Sequence, residues 1–202
     1  MRRVLPIVPG AQKRRTPTGT YGNGPFNSPE DFTAYDRCLT LGVVGSMTPK
    51  IYGNGYRIVQ APGFVVLMAE MIHEARVIPL DGRPHIGDGI RSYMGDSRGH
   101  WEGNTLVVET TNFTDKTPYR GSSDQLKMIE KFTPIGPDTV EWAVTLDDPH
   151  TWATPWTFTM NLTEDASQPP FEYACHEGNY GLRNILTAAR AEEKAAAGGS
   201  SK

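Results

Sequence analysis

Three of the five histidines, His73, His85 and His176, stand close to carboxylates in the sequence, in EMIHEARV, LDGRPH and CHEGNYG. A histidine and a carboxylate facing one cavity form an acid–base pair, enough for hydrolysis or elimination without an organic cofactor. Along FVVLMAEMIHEARV, Val65, Leu67, Ala69, Met71, His73, Ala75 and Val77 alternate to one side, which places His73 among core positions. LKMIEKF carries the same anomaly, since Glu130 shares a face with Leu126, Met128 and Phe132. Burial makes an unpaired polar group costly, so both residues need partners. His73, Glu130, His176 and Glu177 are therefore the candidate acid and base residues. The competing reading is structural: a core histidine satisfied by a carbonyl or carboxylate, and a helix-start loop in which Asn179 or Glu177 assists a cap.

Groups that would bind rather than react are also visible. In PLDGRPH an Asp-Gly turn presents Arg83, suited to a ligand anion, and His85, suited to a pocket mouth. Trp101, Trp142 and Tyr180 would line a pocket for a sugar or aromatic ligand, although core packing accounts for an inward Trp142 without one. A metal held by His73, His85 and His176 has weak support, because neither His-x-His nor His-Glu-x-x-His occurs. The expectation is no metal and no cofactor.

Gly95-Asp96-Ser97-Arg98-Gly99 differs by one residue from the Gly-Asp-Ser-Gly-Gly around a trypsin-like nucleophile. A lipase-type elbow would need a helix after the serine, and a strand-like stretch follows instead. The expectation is a turn, with Ser97 not a nucleophile.

These residues need elements to hold them. WTFTMNLT sets Trp156, Phe158, Met160 and Leu162 against Thr157, Thr159, Asn161 and Thr163, a half-buried strand. TVEWAVTL repeats the pattern with Val140, Trp142, Val144 and Leu146, and TPIGPD joins it to LKMIEKF as a hairpin. NTLVVETTNF is a further strand. YRIVQ, a Pro-Gly turn and FVVLMAEMIHEARVIPL read as a short strand followed by one long bent strand or two collinear ones. Short turns between strands imply antiparallel neighbours. LRNILTAARAEEKAAA has helical spacing at Leu182, Ile185, Leu186 and Ala189.

The expected fold is mainly β, an antiparallel meander forming a barrel or curled sheet of lipocalin-like architecture. The expected layout is an irregular N-terminal arm over 1–55, a β domain over 56–180, a C-terminal helix over 181–197 and a flexible tail over 198–202. At 202 residues one core suffices. With 20 Lys and Arg against 23 Asp and Glu, the chain has no field that attracts nucleic acid. No apolar run of about 18 residues spans a membrane. MRRVLPIVPGAQKRR is too short in its apolar part to act as an export signal. Nothing specifies an oligomeric state.

Cys38 and Cys175 fit no zinc spacing. They are either two small buried hydrophobes or a bridge closing a long loop, worth about 4 kcal/mol in the chain-entropy model.

The blocks EMIHEARVIPLDGRPH, YMGDSRGHWEGNTLVVETTNFTDKT, RGSSDQL, DDPHTWATPWT and FEYACHEGNYGLRNIL, in this order, resemble a large family of uncharacterised bacterial proteins common in soil bacteria. The resemblance runs from about Asp36 to Arg190. Members often carry an export signal and a further N-terminal segment, which implies a periplasmic or secreted setting and favours the disulfide. The family has no established activity and so supplies no catalytic residues. Two functions follow as expectations. One is an enzyme acting on a small organic or carbohydrate substrate in a barrel pocket by His/carboxylate acid–base chemistry. The other is a non-catalytic module that binds a small ligand.

Overall fold

The computed structural model describes residues 5–11, 24–116 and 119–199. Eight antiparallel strands follow one another along the chain and pair only with sequence neighbours. The first sheet holds β1 (Tyr56–Ala61), β2 (Phe64–Ala69) and β3 (Ala75–Pro79). The second holds β4 (Asp96–Glu102), β5 (Thr105–Thr111), β6 (Lys127–Pro134), β7 (Thr139–Asp147) and β8 (Trp156–Thr163). Three helices complete the described chain: α1 (Gly42–Met47), α2 (Cys175–Gly178) and α3 (Tyr180–Gly199). Single 3-10 turns lie at Pro29–Asp31 and Met71–His73.

The meander matches the expectation, but among the described residues it does not close. Pairing joins neither β3 to β4 nor β8 to β1, so the result is two sheets rather than one barrel. The sheets share one core, in which Val65, Leu67 and Ile78 of the first meet Val108, Met128, Trp142 and Leu146 of the second. Gly99 on β4 allows the approach. A Cβ there would come within 2.8 Å of both Ile78 Cγ2 and Leu80 Cδ2. The two interior spaces beside α1 are each about 10 Å³, room for at most about one water.

Residues 64–79 correct the reading of one long strand or two collinear ones. They form a hairpin in which β2 and β3 run antiparallel, with Val65 opposite Ile78 and Leu67 opposite Arg76. The reversal sits at Ile72 and His73, with φ of +66° and +57°. It shifts the alternation by one. Odd positions 65, 67 and 69 face the core on β2, and even positions 76 and 78 face it on β3. A one-residue phase change moves every side chain to the other face. His73 is therefore exposed at the tip, and Arg76 is the polar residue delivered to the interior.

The turn expected at Asp96-Ser97 is also displaced. Asp96 to Glu102 is strand, Ser97 is buried with its hydroxyl 2.9 Å from that of Thr110, and the hairpin turns at Gly103-Asn104. Glycine stands first in that turn with φ of +62°, as a two-residue hairpin of the II′ type requires. Gly95 also has positive φ, and a Cβ on it would meet the carbonyl oxygen of Thr111.

The N-terminal arm is less irregular than expected. α1 buries Val43, Val44 and Met47 in the shared core. Leu5 and Ile7 pack against the same core, and Ile7 forms a bridge with Trp152. The expectations for residues 1–4 and 12–23 lie outside the described residues. α3 extends through Gly198 and Gly199, the first part of the expected tail, and residues 200–202 again lie outside. Asn179, one of the two cap residues of the competing structural reading, caps α3 by accepting the Leu182 amide, and Arg190 donates to the carbonyls of Phe26 and Asn27. A disulfide joins Cys38 to Cys175 across 137 residues, which suits an oxidising, extracellular-type environment. Among the described residues no helix is long and apolar enough to cross a membrane.

Candidate functional site

Glu130, expected with Glu177 as a candidate acid–base partner for His73, pairs with Arg76. Its side chain is fully buried on β6. The two guanidinium nitrogens reach its two oxygens at 2.5 and 3.1 Å, and Trp142 Nε1 donates to Oε1 at 3.0 Å. Donors from two strands, β3 and β7, thus satisfy one interior carboxylate on β6. Bidentate geometry with a further donor on one oxygen is the kind of arrangement in which a buried ion pair is tolerated. Glu74 stands nearby, accepting from the Thr40 hydroxyl, and burial pushes its carboxyl above the ordinary value. The Tyr56 hydroxyl, facing the same small space, is buried without a partner among the described residues.

His73 lines an open cleft of about 330 Å³ with Met68, Ala69, Glu70, Pro170, Phe171 and Glu172. That volume falls at the small end of ligand pockets. Two elements make it: the tip of the β2–β3 hairpin and the chain between β8 and α2. The Tyr173 amide donates to His73 Nε2 at 2.8 Å, which places the ring hydrogen of a neutral His73 on Nδ1. Glu70 accepts from the Gly55 amide through Oε2 at 3.1 Å. Left-handed backbone at a β-branched residue such as Ile72 costs on the order of 1–3 kcal/mol and concentrates at sites that use it.

His85 occupies a second place, on the outer face of β4 and β5. Its Nδ1 lies 2.8 Å from Asp96 Oδ2 and its Nε2 3.2 Å from Glu109 Oε1. Arg98 reaches the other oxygen of Asp96 at 3.1 Å, and Lys127 reaches Glu109 at 2.6 Å. The Lys127 hydrogen bond, the largest effect, joined by the charges of Lys127 and His85, holds the Glu109 carboxyl below its ordinary value against the opposing effect of burial. Asn112 secures the loop after His85 by donating to the carbonyls of Ile86, Gly87 and Ile90.

The remaining candidates are dispersed. Arg83 is exposed and binds Asp81 Oδ2 through Nε at 2.6 Å. Trp101 is exposed on β4, whereas Trp142 is fully buried with its indole N–H on Glu130. His176 and Glu177 are exposed on α2, and Tyr180 is exposed at the start of α3. His85 is bound up on the second sheet and His73 at the tip of the first, so the three histidines do not form one constellation. Among the described residues no group of three or more His, Cys, Asp or Glu side chains could hold a metal ion.

Sequence reasoning missed Glu70 and Glu172 as neighbours of His73, and Arg76 as the partner of Glu130. Glu130 was visible as an interior charge in need of a partner, but the alternation through residue 77 placed Arg76 on the outer face and gave no signal for the pair. The fold and cleft define a two-sheet antiparallel β protein with a small peripheral ligand-sized cleft. No family model, no curated protein and no solved structure matches the chain.

Proposed function

We propose that this protein is a small-ligand-binding β module whose site is the His73 cleft. The observation that carries the reading is the make-up of the cleft. Apolar walls from Met68, Ala69, Pro170 and Phe171 surround three ionisable side chains, Glu70, His73 and Glu172. Such a lining suits a small organic molecule with an apolar or aromatic body and a polar end. Binding is favoured over catalysis because the lone pair of His73 Nε2 is already engaged by the Tyr173 amide. A base needs that lone pair free. The disulfide supports a periplasmic or secreted setting, and the ordered sequence blocks support membership of the bacterial family described above.

The test is a ligand-observed NMR screen of small aromatic and sugar-like molecules against the full chain, repeated with His73→Ala and Phe171→Ala. Hits lost in both variants support the site. Hits that persist in both would place binding elsewhere and sink the reading.

One observation favours the enzyme reading. His85 links two carboxylates, Asp96 and Glu109, through both ring nitrogens, so a proton could pass along the row to Glu109, which is open to solvent. Hydrolysis or elimination on a small organic or carbohydrate substrate would then depend on His85 and Asp96. Turnover abolished by His85→Gln and unaffected by His73→Gln would replace the binding reading with this one.

A further inference from the structure

One wall of the His73 cleft has no regular structure, since residues 171–174 belong to no helix or strand. The wall buries little, with Phe171 68 % exposed. It is held by a few discrete contacts. The Tyr173 amide donates to His73 Nε2 at 2.8 Å, and the Tyr173 hydroxyl lies 3.5 Å from that of Tyr52. Asn179 Nδ2 donates to the Asp36 carbonyl at 2.7 Å. The one covalent tie is Cys175 to Cys38. Beneath the wall, the hairpin tip is kept in left-handed backbone at Ile72 and His73, a conformation that persists only where its surroundings enforce it.

We propose that the Cys38–Cys175 disulfide is a redox latch on this wall, and that its reduction releases the 170–178 segment from the hairpin tip and exposes Nε2 of His73. The reductant is a dithiol. Its thiolate attacks Sγ of Cys175, the S–S bond breaks, and Cys38 departs as a thiolate, leaving a mixed disulfide between Cys175 and the reductant. The second thiol of the reductant then attacks the reductant's own sulfur in that bond, releasing Cys175 and leaving the reductant as a disulfide. Two electrons pass to the protein, and both cysteine sulfurs are free to take up protons. Two features direct the order of events. Cys38 is buried whereas Cys175 is half-buried, which makes Cys175 the accessible target. Asn179 Nδ2 donates to Cys38 Sγ at 3.5 Å, which stabilises the charge of the leaving sulfur.

The latch concerns the same cleft as the proposed binding site and rests on that reading only for what an opened cleft admits. Release of the wall is measured without a ligand. The full chain is treated with diethyl pyrocarbonate before and after dithiothreitol, with reduction of both cysteines established by alkylation, and the modification rate is read at each histidine. Reduction is expected to raise the rate at His73 about tenfold and leave exposed His100 unchanged, while amide exchange increases over 170–178 and β5 to β7 stay protected. The Cys38→Ser/Cys175→Ser variant is expected to show the fast His73 rate without reductant. Asn179→Ala is expected to slow reduction about fivefold. An unchanged His73 rate in the reduced protein or the double variant overturns the latch. So does loss of protection throughout β5 to β7, which would make the bridge a staple of the whole fold. Reduction at an unchanged rate in Asn179→Ala overturns the order assigned to the two sulfurs. Failure of the binding reading would appear separately, as absence of ligand hits in both redox states.

Discussion

Arg76 and Glu130 bind each other across the two sheets through paired hydrogen bonds of 2.5 and 3.1 Å, both side chains almost wholly removed from water. The pair is the polar join between β3 and β6, elements that no backbone ladder connects. Removing one partner leaves the other charge buried alone, so Arg76→Ala and Glu130→Ala should each cost about 3–5 kcal/mol. Replacing both with apolar residues of similar volume, together with Trp142→Phe to avoid stranding the indole N–H, should cost far less. Urea unfolding of the single and combined variants decides the matter. Equal losses for single and combined variants would show that the pair is worth no more than its packing.

Glu74 gives a pH signature of definite sign. Burial lifts its folded-state pKa above the ordinary 4.5, opposed by the Thr40 hydrogen bond and the Arg76 charge. Its contribution to stability is therefore complete below the unfolded value and declines as pH rises through the folded one. Glu74→Gln should remove that decline, so the variant gains on the parent as pH climbs from about 4.5 toward neutrality. Parallel urea titrations at several pH values measure the gap, and a gap independent of pH would contradict the assignment.

Gly95 and Gly103 both need left-handed backbone, but only Gly95 lies against a neighbour. Gly103→Ala should cost about 1 kcal/mol from backbone strain alone. Gly95→Ala should cost several times that, because the new Cβ would collide with the Thr111 carbonyl oxygen and the Thr110 methyl. Thermal melts of the two variants provide the comparison, and equal shifts would show that the strand moves aside freely.

Phe171 should separate binding from folding. Its ring is mostly solvent-exposed on the cleft wall, so Phe171→Ala should change stability by less than about 0.5 kcal/mol. A cleft ligand should nevertheless bind at least several-fold more weakly. Titration and melting of one sample read both quantities.

Period-two alternation made most of the strands legible, because one face of each is covered: Met128, Trp142, Val144 and Leu146 all occupy the interior positions their spacing implies. The hairpin at Ile72-His73 was not legible. It has neither glycine nor proline at its reversal, and its apolar residues continue in phase through the bend, so nothing local marks where the chain turns back. That single miss moved His73 from core to surface and hid Arg76. α1 escaped for a related reason, since GVVGSM carries two glycines and adjacent β-branched residues, and burial against the sheets stabilises it where propensity does not. Of the candidate site, His73 and His85 could be named but not their neighbours. The cleft depends on residues about a hundred positions apart, a distance that periodicity does not bridge.

Strand pairing that never leaves the chain order has a consequence for assembly. Every ladder closes between segments joined by a local connection, so the sheets are able to form as the polypeptide emerges, with little entropy lost to long-range search. The Cys38–Cys175 link is the opposite, spanning 137 positions and joining segments on either side of all eight strands. Oxidation thus comes naturally after the sheets have brought its ends together. Because the sequence contains two cysteines, only one intramolecular pairing exists and no shuffling step is needed to find it.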